Sequence, residues 1–166
     1  MESWRRLDEA APGEALELLL TCCHSHAWAD AMERRRPFGS ADALLHAARE
    51  EWFALPPEDW LEAFHAHPRI GDRESLRERF GASGDMSAAE QSGLDAAGGD
   101  VLEALAGANR DYERKFGFIF IVCATGKNAG DLLAIVHSRM TNDRATELRV
   151  AAVEQASITA LRLARL

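Results

Sequence analysis

Residues 118–123 read Phe118-Ile119-Phe120-Ile121-Val122-Cys123, and they decide the fold. They are the one β-like run in the chain. With Ala124 they form its longest unbroken apolar stretch, far short of the ~20 residues a membrane helix requires. Periodicity alone does not separate a buried strand from a buried extended segment. A strand, however, must pair its backbone N–H and C=O groups with a neighbour, and no second run of this kind occurs. The expectation is therefore an all-α chain: a single-domain helical bundle of about seven to nine helices, spanning 1–166, with 118–124 as an extended piece of core.

Helical spacing appears on both sides of this run. Val101, Leu102, Leu105, Tyr112 and Phe116 recur at helical intervals over 101–115, and Gly117 ends that helix. Two helices should follow, at about 129–140 and 143–165. Upstream, a helix opens at Ser87 to Glu90 and should be interrupted by Gly98-Gly99-Asp100. Residues 69–86 carry Gly71, Gly81, Gly84 and dense charge. They read as a long surface loop with one short helix at 74–80, and loops of this length in compact domains are often functional. Nearer the N-terminus, Pro12 opens a helix whose stripe is Ala15, Leu18, Leu19, Cys22 and Cys23. A short segment at 28–32 runs into Arg34-Arg35-Arg36, read as a solvated helix end. Ser40 caps the next helix, with Leu44, Leu45, Ala48 and Trp52 on one face. Pro56-Pro57 breaks it, and Glu58-Asp59 starts another with Trp60, Leu61 and Phe64 inward. That helix should stop at His67, because Pro68 pushes its predecessor out of the α region.

Composition sets the outer bounds. A chain of 166 residues is about one domain and can bury about 70% of its unfolded surface. With 47% hydrophobic and 28% charged residues, it is neither a disordered tail nor a fibre. A formal charge of −8 disfavours nucleic-acid binding by phosphate neutralisation. Lys115 and Lys127 are the only lysines among 19 cations; so many arginines beside abundant alanine suggest a GC-rich, bacterial genome. Cys22, Cys23 and Cys123 make no disulfide framework and fit a reducing cytosol. Met1-Glu2-Ser3-Trp4-Arg5-Arg6 lacks the apolar core of a signal peptide, so a cytoplasmic protein is expected.

Four groups of residues could carry chemistry. His67 precedes Pro68 at a helix end, where the dipole favours imidazolium, so it could donate a proton near neutral pH; it could equally be an exposed histidine at a helix stop. Ser87-x-x-Glu90 is a capping-box signature. A capped helix start also presents free N–H groups to anions, and its carboxylate could orient a histidine. Cys22-Cys23-His24-Ser25-His26 with His65-x-His67 has zinc-binding residue types but no standard zinc spacing, and the two thiols sit on an apolar stripe. Arg162 lies in Ile158-Thr159-Ala160-Leu161-Arg162-Leu163, where Ile158, Leu161 and Arg162 could face inward. There it would be an ion pair or a carboxylate clamp; a solvated helix face is the alternative.

Taken in order, several stretches resemble one family. They are Arg36-Pro37-Phe38, then Asp59-Trp60-Leu61-Glu62-Ala63-Phe64-His65-Ala66-His67-Pro68-Arg69-Ile70-Gly71, then Ser87-x-x-Glu90-Gln91. Asn109-x-x-Tyr112-x-x-Lys115-Phe116-Gly117-Phe118-Ile119-Phe120 and Ile158-x-x-Leu161-Arg162-Leu163 follow. The set is similar to 2-oxo-4-hydroxy-4-carboxy-5-ureidoimidazoline (OHCU) decarboxylase of urate breakdown, and Arg69-Ile70-Gly71 resembles its bacterial branch. The resemblance implies an all-helical fold, commonly a homodimer, and no cofactor; the lack of zinc spacing and a substrate with its own electron sink add the expectation of no metal. It implies that His67 is the catalytic histidine and Glu90 its paired carboxylate, and that Arg162 helps to hold the substrate. It further implies substrate contacts at Pro68, at Ser87, Ala88, Ala89, Glu90 and Gln91, and along the backbone of Phe120, Ile121, Val122, Cys123 and Ala124.

The chemistry so implied is self-sufficient. The substrate carboxylate sits on a carbon beside a ring C=N, which can take the electrons as CO₂ leaves, so no borrowed electron sink is required. The protein must orient that carboxylate and deliver a proton to the resulting carbon, giving allantoin. Two other classes remain open on the residues: a helical sensor of a purine catabolite without turnover, and a zinc hydrolase using the histidine pairs. The tail Ala164-Arg165-Leu166 resembles a peroxisomal address and has that meaning only in a eukaryote.

Overall fold

The structure is a computed structural model that describes residues 3–67 and 88–166, with side chains described for 3–67 and 99–166. The described residues form eight helices and no strand. They are α1 (Ser3–Glu9), α2 (Pro12–Cys22), α3 (His26–Arg34), α4 (Ala41–Phe53), α5 (Pro57–His65), α6 (Ala88–Phe116), α7 (Ala129–Arg139) and α8 (Arg144–Leu163). No described helix is long and apolar enough to cross a membrane. The expected loop and short helix over 69–86 lie outside the described residues.

The chain falls into two compact units, Met1–His67 with Leu148–Leu166, and Pro68–Glu147. In the first unit, local signals place the helices. Ser25 and Ser40 cap α3 and α4, accepting from the N–H of Trp28 and of Ala43, and prolines open α2 and α5. The core holds Leu7, Leu19, Cys22, Cys23, Trp28, Met32, Leu44, Trp52 and Phe64, joined by Ala151, Ala152 and Leu163 of α8. Each of three buried indoles finds a backbone acceptor: Trp28 donates to Ala48, Trp52 to Ala152 and Trp60 to Trp52, at 3.0, 2.8 and 2.9 Å. A buried indole left unpaired would lose stability, so these bonds fix where each ring can sit.

Some expectations need correcting here. Leu18 and Leu61 are half-buried, and Leu45 is exposed, because the inward face of α4 runs through Leu44, Ala47, Ala48 and Trp52 instead. Helix α1, which has little apolar pattern beyond Trp4 and Leu7, was not expected. Arg36 is not a solvated helix end. Its guanidinium donates to the carbonyls of Asp8 and Ala10, while the Asp8 carboxylate accepts from the N–H groups of Phe38 and Gly39. Gly39 makes this crossing possible at φ +74°, where a side chain would be strained.

In the second unit, α6 runs unbroken over 29 residues, straight through Gly98-Gly99-Asp100. Glycine costs a helix only about 1 kcal/mol each relative to alanine. The register of Leu102, Leu105, Ala108, Tyr112 and Phe116, all buried, is continuous with the turn before it. Gly117, at φ +79°, ends the helix as expected. Residues 118–124 then run extended, without a partner strand, to a turn and to α7, whose start is closed by a capping box between Asn128 and Asp131.

Candidate active site

Of the expected site residues, the first unit holds His67 and Arg162. His67 follows α5, whose last turn closes at Ala66; the His67 N–H donates to the Phe64 carbonyl at 3.2 Å. The helix thus ends two residues before His67, not at it. The ring is half-buried and points its Nε2 at Oε1 of Gln155, 2.5 Å away. Gln155 is wholly buried on α8, and its amide nitrogen donates to the Thr159 hydroxyl at 3.1 Å.

Arg162 lies one turn beyond Thr159 and is half-buried. Its guanidinium donates to the carbonyl of Cys22 at 3.2 Å. The phase of α8 differs from the expected one. Ala151, Ala152, Gln155, Thr159 and Leu163 face inward, Leu161 is exposed and Ile158 is half-buried. Spacings of three and four residues join the buried set, and an apolar reading favoured the neighbouring stripe.

The second unit holds the extended segment. Phe118 and Ile121 are buried; Phe120, Val122, Cys123 and Ala124 are half-buried. Arg139 of α7 anchors the segment by donating to the Ile121 carbonyl at 2.7 Å. The same guanidinium reaches Glu147 at 2.5 Å and the Tyr112 hydroxyl at 3.3 Å, and lies 4.8 Å over the Phe120 ring. Tyr112 donates to Glu147 at 2.5 Å; burial first, then this bond, pushes its phenol far above the ordinary range. Rings of Phe116, Phe118 and Phe120 surround Tyr112 at 4.6, 5.9 and 5.3 Å. The segment is thus held by the burial of Phe118 and Ile121, by the rings of Phe118 and Phe120 against Tyr112, and by one carbonyl pinned by a buried cation. Sequence reasoning missed Arg139, Glu147 and Gln155; a charged or amide residue at a core position of the helical period was the available signal.

Pro68 and Ser87 lie outside the described residues. Ala88, Ala89, Glu90 and Gln91 form the first turn of α6, with side chains outside the description. The histidine and cysteine candidates are engaged otherwise. His26 contacts Glu62 at 2.6 Å, and Cys22 and Cys23 are buried thiols, Cys23 raised to about 12 by desolvation. Among the described residues, no three His, Cys, Asp or Glu side chains are placed to share a metal ion.

The comparison with known proteins decides the lineage. The family model described as OHCU decarboxylase matches residues 8–164, across both units. The chain belongs to the OHCU decarboxylase family. It is 40% identical over 149 residues to the "Uric acid degradation bifunctional protein TTL" of Arabidopsis thaliana, covering 87% of this chain and 45% of that protein. It is 31% identical to a 2-oxo-4-hydroxy-4-carboxy-5-ureidoimidazoline decarboxylase of Haloferax volcanii, covering 85% of this chain and 81% of the relative. The chain thus spans less than half of the bifunctional relative and most of the single-function one. A crystal structure of an OHCU decarboxylase "in the presence of (S)-allantoin" superposes with a TM-score of 0.70 at 37% identity, over 88% of this chain and 94% of that one. The all-helical fold is the fold of the family.

Proposed function

We propose that this chain is a cofactor-independent carboxy-lyase that converts OHCU to (S)-allantoin in urate degradation. The family match along 8–164 carries this reading, and it supports treating 1–166 as one working domain although two compact units are distinguished. In this reading His67 is the proton donor and Glu90 the carboxylate that tunes it, while Arg162 holds the substrate carboxylate through its planar fork. Pro68, the turn from Ser87 to Gln91, and the backbone of Phe120, Ile121, Val122, Cys123 and Ala124 contact the ureido and ring groups.

Two features support these roles. His67 is held by a buried amide, and a preoriented acid is what a protonation step needs. The segment 118–124 belongs to no described helix or strand, so its backbone is not committed to a regular hydrogen-bond ladder that a urea-like ligand would have to displace. Arg139 fixes its course from behind. The small molecule is the partner, together with a second copy of the chain as a homodimer, in a bacterial cytoplasm; a peroxisomal site applies only to a eukaryotic source.

The test is a coupled urate-to-allantoin assay on freshly made substrate, with and without the protein. The expected result is loss of the OHCU absorbance well above the spontaneous rate. Binding with no excess turnover would identify a sensor of the same ligand instead.

A further inference from the structure

The catalytic reading gives His67 a proton to move but does not say which ring nitrogen moves it. A neutral imidazole carries its proton on one nitrogen, and the partner of that nitrogen sets which one. Nε2 of His67 faces Gln155 at 2.5 Å, and an amide can present either an acceptor oxygen or a donor nitrogen.

The rest of the network fixes the amide. Gln155 is wholly buried, and its other end meets Thr159 Oγ1 at 3.1 Å. The amide nitrogen faces Thr159 and donates to its hydroxyl oxygen. The amide oxygen then faces His67, and only an Nε2–H satisfies it. Reversing the amide would set its NH₂ against Nε2 and require an unprotonated Nε2 there, so the tautomer of His67 reports which way the amide lies.

We propose that Gln155 is the positioning residue of His67: it holds Nε2 as N–H in both charge states and orients the ring, so that protons are exchanged at Nδ1. This rests on the reading of His67 as the proton donor. Gln155 touches no substrate and acts through the ring. Its loss should therefore lower kcat and leave KM nearly unchanged, by roughly tenfold to a hundredfold, the scale on which partners behind a functional histidine act.

Long-range ¹H–¹⁵N spectra of the wild-type protein, taken where the ring is neutral, read the tautomer directly; His67 is assigned by its absence in His67→Asn. The proposal expects a protonated Nε2. It further expects Gln155→Leu to lose turnover at unchanged helical content, and Gln155→Glu, which keeps an acceptor in place, to recover most of it. An unprotonated Nε2 in the neutral ring would overturn the proposal, as would a folded Gln155→Leu with wild-type kcat or with a change in KM alone. If Gln155→Leu does not fold, the wild-type spectrum still decides. Full turnover in His67→Asn would instead remove the catalytic reading, an outcome separable from the tautomer.

Discussion

Arg139 and Glu147 form an ion pair with almost no water on it: Nε of one donates to Oε1 of the other at 2.5 Å, and the carboxylate is wholly buried. Asn142 and Tyr112 complete the carboxylate's bonds, and the guanidinium's other arm holds the Ile121 carbonyl. Breaking such a pair from one side strands a buried charge, which costs about 3–5 kcal/mol. Arg139→Met should therefore lower the unfolding free energy by that amount, read as a lower urea midpoint at unchanged m-value. Adding Glu147→Leu should restore a good part of the loss, because an apolar pair carries no desolvation penalty. A loss under about 1 kcal/mol in the single variant would mean that the pair is solvated in solution.

His67→Asn should remove about 10²–10⁴-fold of the rate, the usual weight of a positioned general acid. The ring is half-buried at the end of α5, outside the packed stripe of Trp60, Ala63 and Phe64, so the fold should survive. Circular dichroism and turnover measured on the same preparation check both halves. Near-wild-type turnover would sink the assignment.

Arg162→Lys keeps the charge and removes the planar fork. The guanidinium has one arm on the Cys22 carbonyl, and a carboxylate on the others would be held in fixed geometry. A drop of roughly tenfold in kcat/KM, about 1.4 kcal/mol of transition-state binding, is expected with little change in thermal stability. Equal kinetics in both forms would confine Arg162 to tying α8 to the end of α2.

How much of this could be read beforehand varied with the kind of signal. Ser40, the Pro56-Pro57 pair and Gly117 marked helix ends because each acts through its own backbone or its immediate neighbours. The extended course of 118–124 followed from the lack of a partner for one apolar run. Long-range pairings had no such trace. Arg36 looks like any cation at a helix end until Asp8 and Ala10 are folded beside it. Gln155 in an Ala-rich helix reads as surface until His67 arrives from 88 residues away in the chain. Gly98-Gly99 misled in the opposite sense, since a weak local preference yielded to the register of a long helix. The family was legible from an ordered set of short stretches, none of which identifies it alone.

Burial pushes the Cys23 thiol from its ordinary 9.0 to about 12; the bonds from Thr159 and Ser25 and the charge of Arg162 act the other way and are outweighed. The folded value lies above the unfolded one, near 8.5. The neutral thiol's contribution is therefore complete below about pH 8.5 and is lost as the pH climbs toward about 12. Urea midpoints at stepped alkaline pH should fall more steeply for the wild type than for Cys23→Ala, whose absolute stability is lower. Parallel slopes would place the alkaline loss elsewhere. In the folded protein at pH 8, Cys23 should also resist alkylation until denaturant is added.

Handedness gives the most direct test of a proton delivered by the protein. Loss of CO₂ leaves a planar, conjugated carbon that water can protonate on either face, giving racemic allantoin. Under the proposed function, one face lies against the protein and a single acid, His67, reaches the other. A 99:1 preference requires only about 2.7 kcal/mol between the two protonation barriers, at about 1.36 kcal/mol per tenfold. One held donor and the exclusion of water can supply that difference. The expected product is the S form, read by circular dichroism early enough to precede spontaneous racemisation. His67→Asn should lose the optical signal along with the rate, since any residual product would be protonated by solvent. An optically silent product formed by the wild type at an accelerated rate would show that the protein promotes only the loss of CO₂ and releases the intermediate to water.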